Sequence, residues 1–301
     1  MSPEHKMRES IDKAKILVEA LPYIQEFNGT TVVIKYGGSA MADGPVRDTV
    51  MQDIALMKFV GINPVVVHGG GPQIDQMLAR LGVEPEFHGG LRVTDAATME
   101  IVEMVLSGKV GKDIAARLQE QGVRAAAVSG RDGGLLRAKR VGDHSLGLVG
   151  QITGVDTALI SSLIQHDFVP VISSIAAGAN GTTYNINADH AAVAVAVALA
   201  AEKLVFMTDV PGILRDPADP ASLISEVKAG ELGALVKSGD ITGGMIPKAE
   251  CAVEATRAGV RNVHILDGRV EHCLLLEIFT RVGIGTMVQA DAGHSKDEVS
   301  R

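Results

Sequence analysis

Apolar and polar positions along this 301-residue chain switch repeatedly between two periods. Short runs dominated by Val and Ile, at residues 31–35, 64–68, 168–173, 204–208 and 262–266, have the length and composition of strands. Each ends in glycines, an Asp-led turn or a loop, and helical patterns follow at 73–81, from about 189, and beyond 267–268. Strands so uniformly apolar are covered on both faces. Their alternation with helices predicts βαβ units, a mostly parallel sheet and right-handed connections. Segments 130–140 and 142–150 break the rhythm with glycines and scattered charge, and read as hairpin or loop excursions. Segment 216–222 carries Asp-Pro twice and reads as an exposed turn. A soft boundary near residue 200 divides a front half, richer in glycine clusters, from a rear half.

Ahead of the first strand, Ile11, Ala14, Leu17, Val18, Leu21 and Ile24 recur at spacings of three and four, which marks one face of a helix. Pro22 is expected to bend or divide it. The apolar face needs a partner, either its own domain or a second subunit, and the pattern leaves both open.

Composition narrows the classes. The charged fraction of 21% is that of a globular protein. A net charge of −8 argues against nucleic acid as the main partner. Cys251 and Cys273 belong to no CxxC or Cys/His cluster, which speaks against zinc and suits a reducing cytosol. The N-terminus lacks the apolar core of a signal peptide, and the longest apolar stretch, 191–201, is too short to span a bilayer. The expected location is cytoplasmic, with no membrane partner.

Glycine clusters fall at successive strand ends, where open parallel sheets bind ligands. The familiar phosphate fingerprints are absent. Gly111-Lys112 approaches a Walker A motif, but Leu106 stands at its first glycine position, and Gly69-Gly70-Gly71 runs into Pro72-Gln73 rather than completing GxGxxG. No Gly-x-Ser-x-Gly elbow occurs.

Five other segments carry candidate chemistry. Lys35 ends a Val/Ile strand and leads into Tyr36-Gly37-Gly38-Ser39; a cation beside a glycine turn suits a phosphate, against the alternative of a lysine reaching solvent. His68-Gly69-Gly70-Gly71-Pro72 offers backbone amides to an anion, with His68 a candidate base or, more simply, a core histidine. In His88-Gly89-Gly90-Leu91-Arg92-Val93-Thr94-Asp95, a guanidinium suited to a carboxylate precedes a helix capped by Thr94 or Asp95. In Asn185-Ile186-Asn187-Ala188-Asp189, alternation puts three polar side chains on one side, and capping accounts for one of them. Gly243-Gly244-Met245-Ile246-Pro247-Lys248 places a lysine in a first helical turn, against the dipole preference, which favours an anion partner.

In this order, and over nearly the whole chain, the five segments resemble the amino acid kinase family, especially members acting on N-acetyl-L-glutamate. The resemblance implies a three-layer αβα sandwich around a mostly parallel sheet. It also implies ATP-dependent phosphorylation of the γ-carboxylate of N-acetyl-L-glutamate, with Mg²⁺, in arginine biosynthesis. Lys35 and Lys248 then stabilise the transferring phosphoryl group, and Asp189 holds both lysines. Gly38 lies near the phosphates, while Gly70, Gly71, Arg92 and Asn185 hold the acyl substrate. Thr208 and Asp209 fall on the nucleotide-side loop. The implied organisation is an oligomerisation helix over 1–29, a substrate half over 30–200, and a nucleotide half over 201–301 with an effector segment. The N-terminal helix is similar to that of the L-arginine-inhibited homohexamers, assembled as trimers of dimers. Tyr23, Lys203, His264, Glu277 and Gly283 are the candidate inhibitor residues. Aspartate, glutamate, carbamate or UMP kinases of the same fold are the near alternatives, and a non-catalytic arginine or nucleotide sensor the distant one. No general base is needed, because the acceptor carboxylate is already ionised at neutral pH.

Overall fold

The computed structural model describes residues 3–41, 45–142, 144–216, 218–280 and 283–291. Its helices are α1 (Pro3–Phe27), α2 (Pro45–Phe59), α3 (Gly71–Arg80), α4 (Ala96–Glu103), α5 (Gly111–Glu120), α6 (Ala158–Gln165), α7 (Ala188–Ala198), α8 (Ala229–Ser238), α9 (Met245–Arg257) and α10 (Cys273–Ile278). The strands run β1 (Thr31–Tyr36), β2 (Asn63–His68), β3 (Phe87–His88), β4 (Leu91–Arg92), β5 (Ala125–Ser129), β6 (Leu136–Arg140), β7 (Gly150–Val155) and β8 (Val169–Ser173). They continue as β9 (Ile175–Ala177), β10 (Thr183–Asn185), β11 (Lys203–Thr208), β12 (Glu226–Lys228), β13 (Asn262–Asp267) and β14 (Thr286–Gln289).

Eight strands form the main sheet in the order β12-β14-β13-β11-β1-β2-β8-β5. All neighbours are parallel except β13 and β14. Helices cover both faces, giving the expected three layers. Period-two alternation sorts β1 between them. Val32, Ile34 and Tyr36 join a core with α2, α5 and α10, while Val33 joins a core with α6, α7, α8 and α9. The irregular segment 130–155 contains a hairpin, β6 paired antiparallel with β7, within a four-stranded satellite sheet completed by β9 and β10. The described residues of 216–222 form the exposed turn, closed by hydrogen bonds from the Ser222 hydroxyl to the Asp216 and Asp219 carbonyls.

Helix α1 answers one part of the expectation for Pro22, that of division. Pro22 lies inside it, yet the helix is one undivided element. Proline removes one helical hydrogen bond, to the carbonyl of Val18. Val18 is 67% exposed, so water can satisfy that carbonyl. Ile11, Leu17 and Leu21 are also exposed, and among the described side chains of α1 only the last turn, through Tyr23 and Phe27, packs into the core. Among the described residues, no helix is long and apolar enough to cross a membrane.

Candidate functional site

The site opens at the carboxyl ends of β1 and β2. Alternation turns Lys35 to the same face as Val33, beneath α7. Ala191, Ala192 and Ala196 of α7 are fully buried, and side chains this small let the helix lie close on the sheet. Asn187 caps the helix: its Oδ1 accepts from the Asp189 amide at 2.8 Å and the His190 amide at 3.4 Å. Asp189 is thereby fixed in the first turn, where a carboxylate also complements the dipole. Its Oδ1 meets Lys35 Nζ at 3.0 Å and its Oδ2 meets Lys248 Nζ at 3.3 Å. Burial works to raise the Asp189 carboxyl, but the two ammonium groups outweigh it and hold it below the usual carboxylate range. Two cations on one anion leave this cluster with a net positive charge.

A cleft of about 350 Å³ lies above the cluster, walled by glycines 37–38 and 69–71, Arg92, Asn185 and Lys248. Gly38 has φ +63°, in the left-handed region that glycine adopts without strain. At Gly70 a Cβ would stand 2.7 Å from Leu106 Cδ2, so the absent side chain lets the turn press against the helix behind it. That helix is a π-helical stretch, Met104–Val110, between α4 and α5. A second hollow of about 360 Å³ is lined by Asp209, Val210, Gly212, Asp240, Thr242, Gly244 and again Lys248. Lys248 is therefore common to both compartments.

Arg92 is 8% exposed and held on three sides. One terminal nitrogen donates to Asp75 Oδ1 at 2.6 Å, and the guanidinium lies 4.6 Å from the Phe87 ring centre. The Arg92 carbonyl accepts from Thr94 Oγ1 at 2.8 Å, and Asn185 Nδ2 donates to that hydroxyl at 3.2 Å. Asp95, rather than Thr94, caps α4, accepting from the Thr98 amide at 2.7 Å. His68 is fully buried, and burial pushes its pKa down to about 4. Its Nδ1 pairs with the Gly69 carbonyl at 2.9 Å, which makes it a neutral core histidine. Thr208 is buried, its hydroxyl donating to the Val210 carbonyl at 2.8 Å and the Leu266 carbonyl at 3.0 Å, so it shapes the turn that presents Asp209. Among the described residues no group of three or more His, Cys, Asp or Glu could hold a metal ion.

The candidate inhibitor residues converge elsewhere. Lys203 Nζ lies 3.3 Å from His264 Nε2, and His264 Nδ1 lies 2.7 Å from Glu277 Oε1. Burial pushes both Lys203 and His264 toward their neutral forms. Burial acts to raise Glu277, but the His264 hydrogen bond and the amides of Ile284 and Gly285 bring it below the usual range. A Cβ at Gly283 would come within 2.9 Å of Glu277 Oε2. The Lys203 ammonium sits 4.6 Å from the Phe27 ring, one helical turn beyond Tyr23.

Asp75 and Phe87 carry no motif that marks them. Asp75 reaches Arg92 across 17 positions of sequence, and only the packing of α3 beside the β3–β4 hairpin brings them together.

The sequence profile of the amino acid kinase family matches residues 30–267. The chain belongs to that family. Among curated relatives of this family member, the acetylglutamate kinase of Syntrophomonas wolfei is 55% identical over 280 residues, covering 93% of this chain and 98% of the relative. A solved relative is the N-acetylglutamate synthase of Neisseria gonorrhoeae complexed with coenzyme A and N-acetyl-glutamate. It is 30% identical with a TM-score of 0.82; the match covers 95% of this chain and 66% of that one, so the kinase-family chain spans just under two thirds of the synthase. The same synthase complexed with coenzyme A and L-arginine matches at 29% identity and TM-score 0.77, covering 92% of this chain and 65% of that one.

Proposed function

We propose that this amino acid kinase transfers the γ-phosphoryl group of ATP to the γ-carboxylate of N-acetyl-L-glutamate, giving N-acetyl-L-glutamyl 5-phosphate, the second step of arginine biosynthesis. The observation that carries the reading is Asp189, gripping Lys35 with one oxygen and Lys248 with the other at the junction of two compartments. Residues 30–200 supply the acyl-substrate half and 201–301 the nucleotide half.

The acceptor is an anion attacking a polyanion, so positioning and fixed positive charge must supply most of the catalysis. Arg92 takes the α-carboxylate, and Gly70, Gly71 and Asn185 hold the rest of the acyl substrate beside Lys35. Gly38 and Lys248 face the phosphates, and Asp209 lines the nucleotide hollow. A γ-carboxylate oxygen forms the new bond to phosphorus in line with the bond breaking to the β-phosphate oxygen, and ADP leaves. The two ammonium groups meet the charge that spreads over the equatorial oxygens. Mg²⁺ would enter with the nucleotide substrate and would neutralise part of the phosphate charge. No base is called on, and the neutral His68 in the core supplies none.

The finer reading adds regulation. L-Arginine inhibits by binding beside Tyr23, Lys203, His264, Glu277 and Gly283, and α1 lays its exposed face on a second copy to build a homohexamer. Supporting this are the uncovered Leu17 and Val18, the polar chain beside the end of α1, and the solved relative holding L-arginine. Two buried free thiols, Cys251 and Cys273, fit a cytoplasmic location.

The test supplies MgATP with N-acetylglutamate, glutamate or aspartate, following ADP release and trapping acyl phosphate with hydroxylamine. The expected result is fastest turnover and hydroxamate with N-acetylglutamate. Faster turnover with a free amino acid, or ADP without hydroxamate, contradicts the reading.

A further inference from the structure

We infer that Asp75 is a positioning residue for substrate binding: it pins one terminal nitrogen of Arg92 so that the rest of the guanidinium is set for the substrate's α-carboxylate. This rests on the reading of Arg92 given above.

An unrestrained arginine keeps several rotamers and must lose them on binding. Arg92 is restrained at its backbone and at its guanidinium. The Thr94 hydroxyl holds its carbonyl at 2.8 Å, and Asn185, itself at the cleft, holds Thr94 at 3.2 Å. The guanidinium carbon lies over the Phe87 ring, 4.6 Å from its centre, which limits its movement on that side. A directional hydrogen bond is what opposes rotation of the group, and Asp75 supplies it, at 2.6 Å to one terminal nitrogen. The other terminal nitrogen makes a long 3.5 Å contact with the Gly71 carbonyl, weak enough for an incoming carboxylate to replace.

Exposure separates this pair from an ordinary surface ion pair. The Asp75 side chain is 42% exposed, but that of Arg92 is 7% exposed. A mobile carboxylate on a solvated arginine would do little. Here it acts on a guanidinium already enclosed by the cleft wall. Asp75 also stands on α3, whose first turn follows the glycine amides at 69–71, so one helix orders both groups that receive the acyl substrate. A negative charge beside Arg92 weakens its raw attraction for an anion. Asp75 thus either improves geometry at some cost in charge, as inferred, or simply competes with the substrate, and the two predict opposite changes in KM.

The experiment uses full-length Asp75→Ala, Asp75→Asn and Asp75→Glu, each checked for an unchanged Tm. Two acceptors are compared: N-acetyl-L-glutamate and 4-acetamidobutanoate, which keeps the reacting carboxylate but lacks the α-carboxylate. In the wild type, removing the α-carboxylate should raise KM strongly. In Asp75→Ala, KM for N-acetylglutamate should rise about tenfold or more, the scale of one charge-assisted hydrogen bond. Its kcat should stay within about threefold, and KM for ATP should not move. Asp75→Asn should fall between, Asp75→Glu should recover part of the loss, and 4-acetamidobutanoate should show no difference among the four proteins. An unchanged or lowered KM in Asp75→Ala, or an equal rise for both acceptors, overturns the inference while leaving Arg92 as the binder. A wild type that does not distinguish the two acceptors removes Arg92 from carboxylate binding, and the inference with it. If Asp75→Ala fails to fold, the isosteric Asp75→Asn reads the same comparison.

Discussion

His68 stands at the head of the Gly69-Gly70-Gly71 turn, where a base could reach a substrate, yet burial has made it inert. Its pKa of about 4 lies below the ordinary 6.5. Between those values the unfolded chain binds a proton that the folded chain does not, so stability rises with pH through that window. The contribution is complete above about pH 6.5 and is lost as pH falls toward 4. By pH 4.5 this one residue should cost about 2–3 kcal/mol. Urea unfolding at pH 7 and pH 4.5 should therefore show a fall that is smaller by that amount in His68→Asn; an equal fall in both proteins contradicts the assignment. Lys35, Asp189 and Lys248 were legible in the sequence because each is a charge where charge is expensive: a Val/Ile strand end, the start of an Ala/Val helix, a helix N-terminus. Asp75 and Phe87 were not, since an acid on a helix and an aromatic in a short hairpin break no local rule.

At the scale of elements, regular periodicity was enough to place the central strands, the apolar stripe of α1 and the helix after the triple glycine. Pro22 does not divide α1, because proline's cost depends on where the freed carbonyl lies, and Val18 is an exposed residue. The π-helical stretch Met104–Val110 left no trace in the pattern, since one extra residue in an otherwise helical run keeps its apolar face. The short strands β12, at the sheet edge, and β14, between β12 and β13, owe their existence to a neighbour's backbone rather than to their own composition. Helix α1 carries a prediction of its own. Ile16, Leu17 and Val18 are 65–73% exposed on the single chain, an apolar surface that a partner copy would cover. If the proposed hexamer and arginine inhibition hold, deleting residues 1–26 should leave a dimer on light scattering and weaken the response to arginine. A hexamer that survives the deletion rules out the assembly role.

Across the whole molecule, the main sheet runs without a break from strands before residue 200 to strands after it, with β1 paired to β11 through Val32 and Lys203. The two lysines paired with Asp189 come from opposite sides of that boundary, Lys35 from β1 and Lys248 from α9, and a single carboxylate at the head of α7 joins them. Sequence order supplied the residues; their meeting point is a property of the strand order, which puts β1 in the middle of the sheet with α7 laid across it. Catalysis in this account belongs to the pair rather than to either lysine. The most direct test is kcat for purified, folded Lys35→Ala, Lys248→Ala and the double variant, with N-acetylglutamate and MgATP saturating. Each single change should lower kcat by at least about a hundredfold, and the double should fall well short of the product of the two, as for groups acting as a unit. Near-normal kcat in either single variant would remove that lysine from the mechanism and contradict the central claim.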